Sequence, residues 1–240
     1  MSGSHYIALS GLRTRLDQLD RLAADIANVG TSGYKGERAS RSAAERPDFP
    51  DVLRTAIDTT EGARRLDLSA GALSMTGRAL DVAIDGDGFF VLDTPAGPRY
   101  TRNGHFTIGP DRRLVTEDGA TVRGTDGPIT LADGESVRVE ENGTIWAGGT
   151  VAGRLAVVDF PDPAALVRES GAQLNAAGQT AAPVAAPVVR GGSLEQSNVS
   201  VSDRIAELTT VSRGFEAMQK AMSVLMNDVD GRAIEYLGRR

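Results

Sequence analysis

The chain has no cysteine, and of its 240 residues only His5 and His105 are histidine. Without thiols it can form neither a disulfide scaffold, an iron–sulfur cluster nor a cysteine-ligated zinc site. Two distant histidines leave little for a metal centre or a histidine-based catalytic triad. Aromatics are scarce: six Phe, four Tyr and one Trp, Trp146. Eleven rings are few for a surface that recognises ligands by stacking. No run approaches the 18 apolar residues that a membrane-crossing helix requires. Residues 1–6 lack a basic stretch leading into an apolar one, so no cleavable secretory signal is read there. Basic charge is also short, with 26 Lys+Arg against 32 Asp+Glu. That balance argues against a nucleic-acid-binding domain.

The chain is instead rich in glycine, 28 of 240 residues, or about 12% against a usual 7%. Its charge is unevenly placed. Residues 81–160 carry seven basic and thirteen acidic side chains, while residues 1–35 and 203–240 are close to neutral.

Both ends read as helices. Over residues 6–29, Leu9, Leu12, Leu16, Leu19, Ala23 and Ile26 recur at alternating spacings of three and four. The pair of glycines in Asn28-Val29-Gly30-Thr31-Ser32-Gly33 marks the stop. Over residues 201–229, Val201, Leu208, Phe215, Met222 and Val229 lie seven apart. Val211, Met218 and Leu225 form the second row, whose first place is taken by Arg204. Ser200 or Ser202 is placed to cap this helix and Gly231 to end it. A sustained seven-residue repeat predicts helices that pair through a narrow seam.

The middle reads as antiparallel β structure. Between residues 85 and 143 lie seven Asp-Gly or Asn-Gly dipeptides, the strongest short signals for hairpin turns. Strand-like segments lie between or beside them: Phe89–Leu92, Arg99–Arg102, Leu114–Thr116, Val137–Glu140, Thr144–Trp146 and Leu155–Phe160. Residues 36–80 show weak periodicity. In the stretch 171–190, Ala181-Ala182-Pro183-Val184-Ala185-Ala186-Pro187 reads as an extended connector.

The expected fold class is therefore α+β. N- and C-terminal helices pair as a discontinuous coiled-coil-like core, residues 1–35 and 201–240. An extended connector follows at 36–80, a β-rich outer domain at 81–170, and a second connector at 171–200.

No phosphate loop, dinucleotide fingerprint, metalloprotease motif or nucleophile elbow is present. Asp85-Gly86-Asp87-Gly88 fails as a calcium loop, because Phe89 and Ala96 stand where oxygen ligands are needed. Turn formation accounts for both aspartates. No nucleophile, base or metal set can be named, so no enzyme activity is expected.

Three stretches resemble one family, the flagellar rod, hook and hook-associated proteins. The first is Ala8-Leu9-Ser10-Gly11-Leu12 with Ile26-Ala27-Asn28-Val29-Gly30-Thr31-Ser32-Gly33-Tyr34-Lys35. The second is Leu80-Asp81-Val82-Ala83-Ile84-Asp85-Gly86-Asp87-Gly88-Phe89-Phe90, followed by Arg99-Tyr100-Thr101-Arg102-Asn103-Gly104-His105-Phe106. The third is Gly192-Ser193-Leu194-Glu195-Gln196-Ser197-Asn198-Val199. The motif positions singled out are Asn28, Thr31, Gly33, Tyr34, Lys35, Asp85, Gly86, Gly88, Phe89, Arg102, Asn103, Gly104, Leu194, Glu195, Ser197, Asn198 and Val199. The chain departs from the family pattern at Ala24-Asp25, where two asparagines are usual, and is weak around Leu174-Asn175.

Within the family, the stretch Arg213 to Lys220 and the late Gly231-Arg232-Ala233 resemble a proximal-rod member. A distal-rod or hook-type member is the alternative. A carbohydrate-binding module and a cell-wall hydrolase are more remote readings. The resemblance implies a structural subunit of the basal-body rod, exported by the flagellar type III apparatus. Its partners would be copies of itself and other rod proteins. It implies no cofactor, no metal, no nucleic acid and no transmembrane segment. Subunit contacts are expected along the helix seams, at Leu9, Leu12, Leu16, Leu19, Ile26, Val201, Leu208, Val211, Phe215, Met218, Met222 and Leu225.

Overall fold

A computed structural model describes residues 2–39, 64–131 and 136–237. Side chains of residues 2–10, 39, 64, 221–222 and 225–237 lie outside that description. Two compact units are present, one holding both helices and the other comprising residues 28–38 and 64–199.

In the helical unit, α1 spans Ser2–Ala27 and α2 spans Val201–Leu237. α1 ends at the Asn28–Gly33 stretch that marks its stop, and Gly33 takes a positive φ of 67°. Ser200 begins α2. Its Oγ accepts the Asp203 N–H at 3.4 Å, which satisfies one of the donors that a helix start leaves without a partner. Gly231 does not end α2, which continues to Leu237.

The β unit is built of short antiparallel strands. The main sheet runs in the order Val167–Ser170, Gln173–Asn175, Gly97–Thr101, Phe89–Thr94, Thr121–Gly124, Leu114–Thr116 and Phe106–Ile108. The strand Val157–Asp159 also pairs with Phe89–Thr94, placing Val157 opposite Phe90. Val137–Val139, Thr144–Ala147 and Thr150–Arg154 form a separate three-stranded sheet. Two further pairings bring the C-terminal end of the unit back onto its start. Val189–Gly191 pairs with Val82–Ile84, and Ser193–Glu195 pairs with Leu73–Met75.

The run Phe89-Phe90-Val91-Leu92 is buried throughout, because its strand is covered on both faces. Side chains alternate along a strand, so the four residues serve two cores. Phe90 and Leu92 join Phe106, Leu114, Val122, Ile129 and Leu131. Phe89 and Val91 join Leu66, Tyr100, Phe160 and Leu174. The second core contains an aromatic triplet. Tyr100 meets Phe160 edge-on at 4.7 Å between centroids, and Phe89 lies 6.1 Å from Phe160.

The α+β class with a coiled-coil-like helical core is not the architecture found. Among the described residues there are two α-helices and one short 3-10 helix, and most of the rest is antiparallel β sheet. Among the nine seam residues whose side chains are described, only Val211 is buried. Leu12, Leu19, Ile26, Leu208, Phe215 and Met218 are half-buried. Leu16 is 47% exposed and Val201 39%. The side chains of Leu9, Met222 and Leu225 lie outside the described residues.

The physical reason is that a heptad stripe specifies an apolar line without guaranteeing that a partner covers it. The polar place in the second row is occupied by an ion pair. The Arg204 guanidinium lies 3.0 Å from the Asp25 carboxylate, which is 1% exposed. The residue that interrupts the seam thus meets the residue that departs from the family pattern.

Candidate functional site

The three motif stretches meet in the β unit. Their centre is a buried ionic cluster. Lys35 Nζ donates to Glu195 Oε1 at 2.6 Å, and both side chains are at most 3% exposed. Arg102 Nη1 lies 3.5 Å from the other oxygen, Glu195 Oε2. One carboxylate therefore faces two cations contributed by segments 160 and 93 residues away in sequence.

Each member is held by backbone as well as by charge. Glu195 sits on the short strand paired with Leu73–Met75, and its Oε1 also accepts the Gly71 N–H at 3.0 Å. Lys35 donates to the Ser69 carbonyl at 2.8 Å. Arg102 donates to the Gly86 carbonyl at 2.7 Å and to the Ile84 carbonyl at 3.5 Å, with its guanidinium 5.4 Å from the centre of the Phe89 ring. Burial lowers the Lys35 ammonium's pKa, against the pull of Glu195. Burial lowers that of Arg102 too, opposed by Glu195, Asp87 and Asp159. Two cations share one fully buried carboxylate, so neither is fully compensated by it.

Backbone contacts close the joint. The Gly33 N–H donates to the Glu195 carbonyl at 2.7 Å, and the Asn198 N–H to the Tyr34 carbonyl at 3.3 Å. Asn198 uses its whole side chain. Its Oδ1 accepts the Gly36 N–H at 2.8 Å, and its Nδ2 donates to the Asp67 carbonyl at 2.7 Å and the Ser69 carbonyl at 3.1 Å. Arg168 stacks its guanidinium 3.9 Å above the Tyr34 ring, donates to the Lys35 carbonyl and pairs with Glu37 at 3.2 Å.

Two glycines are required here for space. At Gly33 the φ is positive, and a Cβ would overlap the Arg102–Asn103 peptide. At Gly104 a Cβ would overlap the Val82 carbonyl oxygen. That oxygen's strand is held against residue 104 by the Val82 N–H donating to the Gly104 carbonyl at 3.0 Å. The Asn103-Gly104 pair predicts a hairpin turn, yet the role of Gly104 is close approach. Asn103 provides the local turn, its Oδ1 accepting the His105 N–H at 3.0 Å.

Other motif residues sit around this centre. Leu194 and Val199 are buried apolar residues flanking it. Ser197 caps the Val199 N–H at 3.2 Å. Asn28 and Thr31 form the turn after α1, where the Thr31 N–H donates to the Asn28 carbonyl at 3.0 Å. Gly86 and Gly88 have positive φ in the turn before Phe89, and Asp85 is exposed and paired with Arg190 at 2.6 Å. The structure therefore unites Gly33, Tyr34, Lys35, Gly86, Phe89, Arg102, Glu195 and Asn198, and places Asp85 at the edge.

Sequence reasoning did not single out Asp81, Arg78, Arg168 or Asp67. Asp81 is 2% exposed and lies 2.9 Å from His105 Nδ1 and 3.4 Å from Arg78 Nη1. Its sequence signal is its place in the second motif stretch, as an acid ahead of the apolar run Val82-Ala83-Ile84.

Chemically this cluster fastens one segment to another. A cleft of about 210 Å³ beside it is bounded by Lys35, Arg102 and Glu195 with Leu68, Leu73 and Asp87. Among the described residues, no group of three acids or histidines could hold a metal ion. No described helix is long and apolar enough to cross a membrane.

Comparison with known proteins covers most of the second and third of these stretches. Residues 83–147 match the family described as flagellar hook protein FlgE/F/G D1 domain. Residues 190–227 match the flagellar basal body rod FlgEFG protein C-terminal family. The chain is 34% identical over 191 residues to the flagellar basal-body rod protein FlgF of Rhizobium meliloti, covering 75% of this chain and 76% of that one. It is 34% identical to FlgF of Salmonella typhimurium, covering 75% of each. It is 33% identical to the rod protein FlgG of Bacillus subtilis, covering 65% and 64%.

Proposed function

From the premise that the chain belongs to the flagellar FlgE/F/G family of rod and hook proteins, we propose how it works as a subunit of a torque-bearing shaft. It is a structural protein of the flagellar basal body, a rod protein most like FlgF. In the proposed reading, copies assemble helically through the faces of α1 and α2 into a tube that transmits torque and encloses the export channel. The β unit forms the outer layer, and the subunit reaches the rod through the flagellar type III export apparatus. The cluster of Lys35, Arg102 and Glu195 performs no chemistry in this role. It fastens the segments that enter and leave the helices, residues 28–38 and 190–199, to the β sheets.

One observation carries the reading. Burial on the helices is thin: among their described apolar side chains only Leu22 and Val211 are buried, and Leu16, Val201, Ile205 and Val224 are 39–60% exposed. Apolar residues left uncovered along two helices are what neighbouring subunits would bury. The near-neutral charge of these ends also suits repeated stacking, since like charges would repel.

The test is electron microscopy of basal bodies from cells lacking this chain, complemented with wild type or with a Leu16→Asp, Val224→Asp double variant. A rod that stops short without the chain, and is restored by wild type alone, supports the reading. A complete rod in its absence would overturn it.

A further inference from the structure

We propose that the β unit carries a head-to-tail contact between copies: the acidic turn Glu117–Ala120 of one copy enters an arginine-mouthed cleft on the next. The proposal rests on the reading of the chain as a rod subunit and adds a specific pair of surfaces to it.

The cleft has a volume of about 490 Å³. Its floor is apolar and firm, made by Val91, Tyr100 and Val157, all buried. Arg123 and Arg154 stand at its mouth with Thr125, all three exposed. Arg123 is engaged by Asp93. The exposed Arg154 guanidinium has no ion pair among the described residues. It lies in a stretch, residues 81–160, with thirteen acids against seven bases.

The complementary surface lies at the other end of the same strand. Thr121–Gly124 leads from the acidic turn to the cleft. Four residues span about 13 Å, so a molecule cannot place its own turn in its own cleft. The turn is tight: the Gly119 N–H donates to the Thr116 carbonyl at 2.9 Å, and Gly119 has a φ of 82°. Glu117, Asp118 and Gly119 are all exposed at its tip. Glu117 has no ion pair among the described residues, and Asp118 accepts one hydrogen bond, from Gln173 Nε2 at 3.2 Å.

Charge complementarity selects a second copy as the occupant. Two β units with this acidic excess repel each other in most orientations. An orientation that brings Glu117 to Arg154 joins two opposite charges that have no ion pair among the described residues. Turn and cleft are different surfaces at opposite ends of one strand, so the contact is heterologous. It adds subunits in a line and does not close on a dimer.

The absence of cysteine makes the test clean. A chain carrying Asp118→Cys and Thr125→Cys is expressed in place of wild type, and isolated basal bodies are oxidised. Disulfide-linked dimers and larger multiples are expected, with neither single variant giving multiples above dimer. Monomers alone from assembled double-variant chains would overturn the proposal.

In a second arm, Arg154→Glu and Glu117→Arg are made separately and together. Each alone should lower incorporation about tenfold, and the combination should restore it. Failure of the combination to rescue would mean that the occupant is not a second copy. Wild-type chain in the same preparations reports on the rod reading: its absence from basal bodies overturns that reading and the proposal with it. Its presence alongside unlinked cysteine chains overturns the proposal alone.

Discussion

Lys35 and Glu195, separated by 160 residues, lie 2.6 Å apart with both side chains almost wholly withdrawn from solvent. Removing Glu195 strands the charges of both Lys35 and Arg102 in a place that water reaches poorly. Glu195→Ala should therefore destabilise the chain by about 3–5 kcal/mol, and Lys35→Ala by less, because Arg102 still faces the carboxylate. The double change Lys35→Met, Glu195→Leu should cost less than the sum of the single changes, although Arg102 then loses its carboxylate. Urea unfolding of the full chain, followed by circular dichroism, measures both. Additive losses would show that the pair is not coupled.

The same pair has a pH signature. Burial, the larger influence, lowers the Lys35 pKa from its ordinary 10.5, and Glu195 only partly opposes it. The folded chain then gives up this proton at a lower pH than the unfolded chain. Across the alkaline window below 10.5, the unfolded state binds more protons at this site, so stability from Lys35 rises with pH. The stability of wild type minus that of Lys35→Met should climb as pH is raised toward 10.5. A difference that falls instead would place the attraction of Glu195 above the effect of burial.

Space at Gly104 and freedom at Gly119 can be separated by one substitution each. A methyl group at Gly104 meets the Val82 carbonyl, while one at Gly119 meets open solvent at a φ of 82°. Gly119→Ala should cost about 1–2 kcal/mol. Gly104→Ala should cost more than about 3 kcal/mol, since backbone must move. Thermal unfolding of both variants gives the comparison, and equal losses would contradict the crowding argument.

In the helical unit, Asp25 is buried against Arg204. Arg204→Ala should lower helical circular dichroism and destabilise the full chain, because the buried carboxylate loses this cation. Leu16→Ala, at a site 47% exposed, should change stability by less than about 1 kcal/mol while lowering incorporation into rods. If both variants act alike on stability, the exposed helix face is no interface.

Much of this was legible in the residues. The spacing of Leu9 to Ile26 and the glycines after Asn28 dictate a helix and its end, because backbone periodicity and capping are local. Leu114–Thr116 and the turn at Gly119 follow from Asp118-Gly119, a pair that tolerates positive φ. The sequence also marked the positions of the joint through the motifs around Lys35, Arg102 and Glu195.

What the residues could not convey is which groups meet. Nothing in the order of the chain pairs Lys35 with Glu195 or Asp25 with Arg204, since contacts over such separations depend on how sheets close. Strands such as Val189–Gly191 and Ser193–Glu195 exist because Val82–Ile84 and Leu73–Met75 lie beside them. Their own three residues carry too little pattern to announce a strand. The heptad stripe failed as a guide to the core for the same reason. It determined where apolar side chains stand on α1 and α2, and only the tertiary structure decided that most of them remain partly uncovered.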